Sequence, residues 1–130
     1  MSVEAAIYNR LQSQSGIANR VGTRIYPAGT APQDAPLPFI QHAIQSGTRD
    51  GTLSGRQPLV NYSVQITGFM ASHADMRGVM DKVLDSLDGW AWDGRIQRCR
   101  FVDKNTNANP DQPELYSETH TYSVWYVNEI

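Results

Sequence analysis

Between Val60 and Leu87 the hydrophobic period of the chain switches from two residues to about 3.6. Val60, Tyr62, Val64 and Ile66 alternate with Asn61, Ser63, Gln65 and Thr67, the pattern of a strand buried on one face and wet on the other. Met76, Val79, Met80, Val83, Leu84 and Leu87 then form one apolar stripe at helical spacing, with Arg77, Asp81, Lys82, Asp85 and Asp88 away from it. A one-sided strand followed by a one-sided helix hides both apolar surfaces when the helix packs on the sheet. Ser72 is placed to cap this helix, Asp75 shortens a capping box, and Gly89 suits the residue just past its end.

The remaining elements are weaker. Val3, Ala6, Ile7 and Leu11 share one helical face after Ser2, and Gly16 marks the expected end of that first helix. Pro27, Pro32, Pro36 and Pro38 exclude a helix or central strand and predict an extended arm, preceded by a short strand at about residues 23–26. Strands are expected at residues 39–45, 95–103 and 115–127. The glycine-containing connection at 46–58 and the Asn-rich linker at 104–113 read as polar surface loops. In the last strand both sides carry large apolar groups (Tyr122, Val124 and Tyr126 against Trp125 and Val127), so it is either central or covered by a partner. The fold class is α+β: an antiparallel sheet of about four strands with two helices on one face, in the order α-β-β-α-β-β.

Residues 1–130 are read as one domain, large enough for a core without disulfide or metal. The net charge of −2 and the 18% of charged residues give no global field for nucleic acid or an anionic membrane. No run of apolar residues is long enough for a membrane span, and the N-terminus lacks the pattern of a signal peptide. A cytosolic site of synthesis is expected.

Chemistry is hard to place on this chain. Cys99, the single cysteine, sits between Arg98 and Arg100, but an alternating strand turns both arginines to the face opposite the thiol. His42, His73 and His120 have no metal-ligand spacing, and Asp81, Asp85 and Asp88 read as a solvated helix face. Residues 47–55 lack the Gly-Lys-Ser/Thr ending of a phosphate loop, and no serine occupies a nucleophile elbow. The chain is read as non-enzymatic, with no catalytic, cofactor-binding or metal-ligating residue.

Contacts with other chains are the better expectation. Nine arginines against two lysines, with Arg95, Arg98 and Arg100 close together, suit interface ion pairs. Trp90 and Trp92 read either as core or as a protein–protein anchor. Arg49, Asp50 and Arg56 are charges in the connection 47–57, where they can pair with another chain, and Leu53 is its one large apolar group. With Arg98, Arg100 and Trp125, these residues form the candidate assembly interface.

Three stretches carry a family likeness. Val21-Gly-Thr-Arg-Ile-Tyr-Pro27 is followed by Ala35-Pro-Leu-Pro-Phe-Ile40; Gly47-Thr-Arg-Asp-Gly-Thr-Leu-Ser-Gly55 precedes a strand ending Gly68-Phe-Met-Ala71; and the helix from Ser72 leaves through Asp88-Gly89. In order and spacing the chain resembles the tail-completion proteins of long-tailed bacteriophages and prophages, also called tail terminators or tail-to-head joining proteins. The resemblance implies a virion structural protein, assembled in the host cytoplasm, that sits as a ring of commonly six subunits on the head-proximal end of the tail tube. Its implied partners are further copies of itself, the tail tube protein and the head connector or stopper protein. No cofactor, membrane or specific nucleic acid is implied, DNA at most passing through the lumen. The alternatives are another neck or minor tail protein, such as a head–tail stopper, and a small intracellular ligand-binding domain or enzyme.

Overall fold

The computed structural model describes residues 3–22, 24–27, 30, 38–50, 59–91, 96–108 and 116–127. Their order is α1 (Val3–Gln12), α2 (Ser15–Val21), β1 (Ile25–Pro27), β2 (Phe39–Asp50), β3 (Leu59–Met70), α3 (His73–Leu87), β4 (Ile96–Ala108) and β5 (Tyr116–Val127). The strands form one sheet in the order β1-β2-β3-β5-β4. The class is α+β, but the sheet has five strands and is mixed, because β1 runs parallel to β2 while the other pairs are antiparallel.

Among the described residues, three helices replace the expected two. The amide of Ser13 closes the last turn of α1 onto Asn9, and Gln14 then takes an extended conformation (φ −90°, ψ 114°) before α2 begins. This break lets Leu11 and Ile17 both reach the core, and Gly16 lies inside α2 rather than ending α1. The expected cap at Ser2 lies outside the described residues. β1 ends on Pro27, which an edge strand tolerates because its missing N–H would face away from the ladder.

Two expected loops are partly strand. β2 continues through Gly47, Thr48, Arg49 and Asp50, which pair with Tyr62, Asn61, Val60 and Leu59. The connection therefore narrows to residues 51–58, outside the described residues. β4 likewise runs through Asn105 and Asn107 to Ala108, opposite Thr119, Ser117 and Tyr116. In both places the backbone ladder makes the strand, since little apolar patterning supports it.

α3 lies across β3, β5 and β4, α1 packs on β2, and α2 packs on α3, so the helices share one face of the sheet. The helix-facing side chains of β3 (Val64, Ile66, Met70) and β5 (Tyr122, Val124, Tyr126) meet Met76, Val79, Met80, Val83 and Leu87 of α3 in one buried cluster. Each such side chain contributes roughly 1.5–3 kcal/mol when buried. Gly68 is what allows α3 this close: a Cβ there would stand 2.6 Å from Met80 Sδ and 3.1 Å from Met70 Cε. At the start of α3 the amide of Asp75 donates to Ser72 Oγ over 3.1 Å, as the capping pattern predicts. β5, apolar on both sides in sequence, is a central strand between β3 and β4.

The chain leaving α3 guards part of β4. Gly89 N donates to Cys99 O at 2.7 Å, Cys99 N donates to Trp90 O at 3.0 Å, and Phe101 N donates to Asp88 Oδ1 at 3.0 Å. Trp90 is buried there with the Arg10 guanidinium 5.6 Å from its ring centre.

Candidate functional site

The sheet face away from the helices is polar across its middle. Register rows run Arg98–Trp125–Asn61–Thr48 and Arg100–Ser123–Ser63–Ser46 from β4 to β2. Asn61 Nδ2 donates to Ser123 Oγ at 2.7 Å, and Thr67 and Thr119 share a hydroxyl bond of 3.1 Å. Aromatic rings stand toward one end, where Phe39 stacks on Phe69 at 4.8 Å and Tyr26 meets Phe39 edge-on at 6.0 Å. Trp125 stands toward the other end, half-buried, beside the exposed Arg98.

The structure thus brings together three of the expected interface residues, Arg98, Arg100 and Trp125, on the sheet face that no described helix covers. Arg49 and Asp50 reach the same end of the sheet on β2 at the backbone level, two strands from β5. Leu53 and Arg56 lie outside the described residues. Cys99 points the other way, as alternation predicts: it is buried under the helices, and desolvation, with a smaller push from the Asp88 carboxylate, moves its thiol up to about 12. A thiol held there is protonated and inert.

One arrangement escaped the sequence reading. Glu118, His120 and Tyr122 lie at alternate positions of β5, all on the helix-covered face, each only 1% exposed. His120 Nε2 meets Glu118 Oε2 at 2.7 Å and Nδ1 meets the Tyr122 hydroxyl at 2.9 Å. The carboxylate can only accept, so Nε2 carries the proton and Nδ1 accepts from the tyrosine. Arg77 of α3 completes the chain by donating Nη2 to Glu118 Oε1, while its Nη1 reaches Asp81 at 3.3 Å. Burial holds the His120 pKa below its ordinary value; the Glu118 bond and charge oppose this, and the Arg77 and Lys104 charges add to it. Burial also raises the Tyr122 hydroxyl. The ingredients resemble a proton relay, but the groups are sealed from solvent, and their geometry is that of a clamp between α3 and the sheet. The alternation Glu118-x-His120-x-Tyr122 was the available signal; the partner cation lies 41 residues away in sequence.

His42 of β2 is also buried, and desolvation lowers its pKa against the opposing pull of Glu4. It lines a shallow groove of about 290 Å³ with Glu4, Tyr8, Ile25 and Pro27. Among the described residues no group of three or more His, Cys, Asp or Glu side chains could hold a metal ion. Likewise, among them no helix is long and apolar enough to cross a membrane.

Comparison with known proteins settles the family. Residues 5–127 match the family of tail completion protein gp17. The chain belongs to that family. The family places the protein among the structural components of the bacteriophage tail, in the virion. A chain of the virion of a native gene transfer agent particle has the same fold, with a TM-score of 0.73 at 16% identity over 98% of this chain and 96% of that one. No curated protein matches.

Proposed function

We propose that this tail completion protein acts as a ring on the head-proximal end of the finished tail tube, where it stops tube growth and presents the surface that docks to the head connector. The observation that carries the reading is the family match over residues 5–127, which spans nearly all of the chain. The sheet face that no described helix covers, with the exposed Arg98 and Arg100 and the half-buried Trp125, supports it, since a ring subunit needs surfaces for its neighbours, the tube and the head. Residues 1–130 act in this role as a single domain.

The role is non-enzymatic and takes no cofactor. Its strongest nucleophile, Cys99, is buried and protonated, and the acid, base and hydroxyl of β5 are spent on one another. The partners are further copies of the chain, the tail tube protein and the connector or stopper protein of the head.

Electron microscopy of a phage or prophage lysate with this gene deleted tests the assignment. Unattached tails with irregular, extended head-proximal ends, restored by the gene in trans, are expected. Normal-length tails joined to heads in the deletion would overturn it.

A further inference from the structure

The hydrogen-bond chain beneath α3 ends on a cation with two seats. Arg77 puts Nη2 on Oε1 of Glu118, on β5, and Nη1 3.3 Å from Oδ1 of Asp81, one turn further along its own helix. The first bond ties α3 to the sheet, whereas the second stays within α3. The two seats differ in their access to water: Glu118 is 1% exposed, Asp81 60%, and Arg77 itself 31%. A guanidinium shared between a sealed carboxylate and a wet one can give up the first and still keep an anionic partner.

The proton count at His120 decides between the seats. Among the described residues, the charged and titratable groups around its ring are Glu118 and Tyr122 on its own strand, Arg77 with Asp81 behind it on α3, and Lys104 opposite it on β4; β3 sets only Ile66 against its other side. With the ring neutral, Arg77 answers the buried carboxylate charge for charge. With the ring protonated, two cations face that carboxylate, and the surplus charge stands where water does not reach. Lys104 also works against the imidazolium. Of the two cations only Arg77 has an exit, because it regains water and keeps Asp81, while the imidazole is fixed in the middle of a central strand. The new Nδ1–H finds an acceptor in the Tyr122 oxygen once the tyrosine O–H turns away.

We propose that His120 and Arg77 form a proton-driven switch, in which a proton on His120 moves the Arg77 guanidinium from Glu118 to Asp81 and so exchanges a bond between α3 and the sheet for one within α3. The imidazolium takes over the carboxylate that Arg77 leaves. The first half of α3 then rests on the sheet through hydrocarbon, chiefly Met76, Val79 and Met80. Its far end keeps Leu87 in the core and the backbone bonds between Gly89, Trp90 and Cys99, so the helix loosens from its start. Burial disfavours the imidazolium and Glu118 offsets this only in part, which puts the switch on the acid side of the ordinary histidine range and keeps α3 tied down at neutral pH. The device belongs to the subunit itself and does not depend on the ring reading.

Solution NMR of the full chain tests it. As the pH is lowered from about 8, the Arg77 Nε–H signal should move with the same midpoint as the His120 ring, below about 6.5. Amide exchange over residues 75–81 should quicken about tenfold relative to 84–87 across that midpoint. In His120→Gln both readouts should hold their neutral-pH values over the same range. Asp81→Asn removes the second seat at an exposed site, and should lower the His120 midpoint by about 0.3 pH units, the roughly twofold worth of an exposed i,i+4 pair. Asp85→Asn, equally a surface change on α3, should leave the midpoint where it is. An Arg77 signal that stays put while His120 titrates, a His120 ring that remains neutral until the chain unfolds, or an Asp81→Asn midpoint equal to that of the wild type would each overturn the switch.

Discussion

The contact between α3 and the sheet has two unlike regions. Around Gly68 it is dry hydrocarbon, the side chains of Ile66, Val79 and Met80 all fully buried. Less than one helical turn toward the start of α3, and directly across the ladder from Ile66 and Gly68, Arg77 holds Glu118, Glu118 holds His120, and His120 holds Tyr122. The first region owes its strength to area and shape and is indifferent to pH. The second owes it to a chain of charges and protons in which each member satisfies the next, so removing one leaves another exposed to a low-dielectric surrounding.

Arg77→Met should break the contrast most severely. It takes the cation from a buried carboxylate, and a loss of about 3 kcal/mol is expected near neutral pH. Arg77 also disfavours the charged form of His120, so in the variant His120 takes up a proton more readily and can replace the missing cation. The deficit measured by urea denaturation should then shrink as the pH falls; a deficit independent of pH would refute the clamp. Met80→Ala should cost about 2 kcal/mol, at the low end for such truncations because the flexible Met70 and Met76 can close part of the space. That cost should be flat with pH.

Tyr122→Phe is expected to cost about 1 kcal/mol, since Nδ1 of His120 loses its donor within a sealed site. The variant should also shift the His120 ring resonances in NMR, which mere repacking at Met80 would leave in place. The smallest effect belongs to acid. His42 and His120 both have depressed pKa values in the folded protein, so above about pH 6.5 they are neutral in both states and their contribution is fully present. Below that pH the unfolded chain binds protons first, and stability declines until the folded histidines titrate. A wild-type unfolding free energy that stays constant from about pH 7.5 to 5 would contradict this, and His120→Gln should flatten the slope.

What could be read in advance follows the same division. The α3 stripe, the alternation of β3 and the Ser72 cap were legible because burial writes itself into local spacing. The outer halves of β2 and β4 were not. Gly47, Thr48, Asn105 and Asn107 have loop chemistry, and only their partners across the ladder make them strands. β1 was placed approximately, but its parallel pairing with β2 depends on a contact that no local pattern encodes. Of the candidate interface, the outward direction of Arg98 and Arg100 followed from alternation about Cys99, and the structure agrees. The polar clamp was half visible: Glu118, His120 and Tyr122 share a parity, but nothing near them in sequence announces Arg77 on another element.

The close approach at Gly68 has a consequence for how relatives of this chain can diverge. A methyl group at that position collides first with the end of the Met80 side chain, and only then with Met70. The two positions are therefore coupled through that contact. A lineage that acquires alanine at 68 has to swing the flexible end of Met80 aside or select a shorter residue at 80, so alanine at 68 is expected more often beside a shorter residue at 80. Gly89 faces a different filter, because its φ of 82° restricts the residue type while nothing lies within 4 Å of where a Cβ would go. Asparagine, which tolerates that conformation, is its expected replacement. Across descendants, then, 68 and 80 should change as a pair and 89 should change alone.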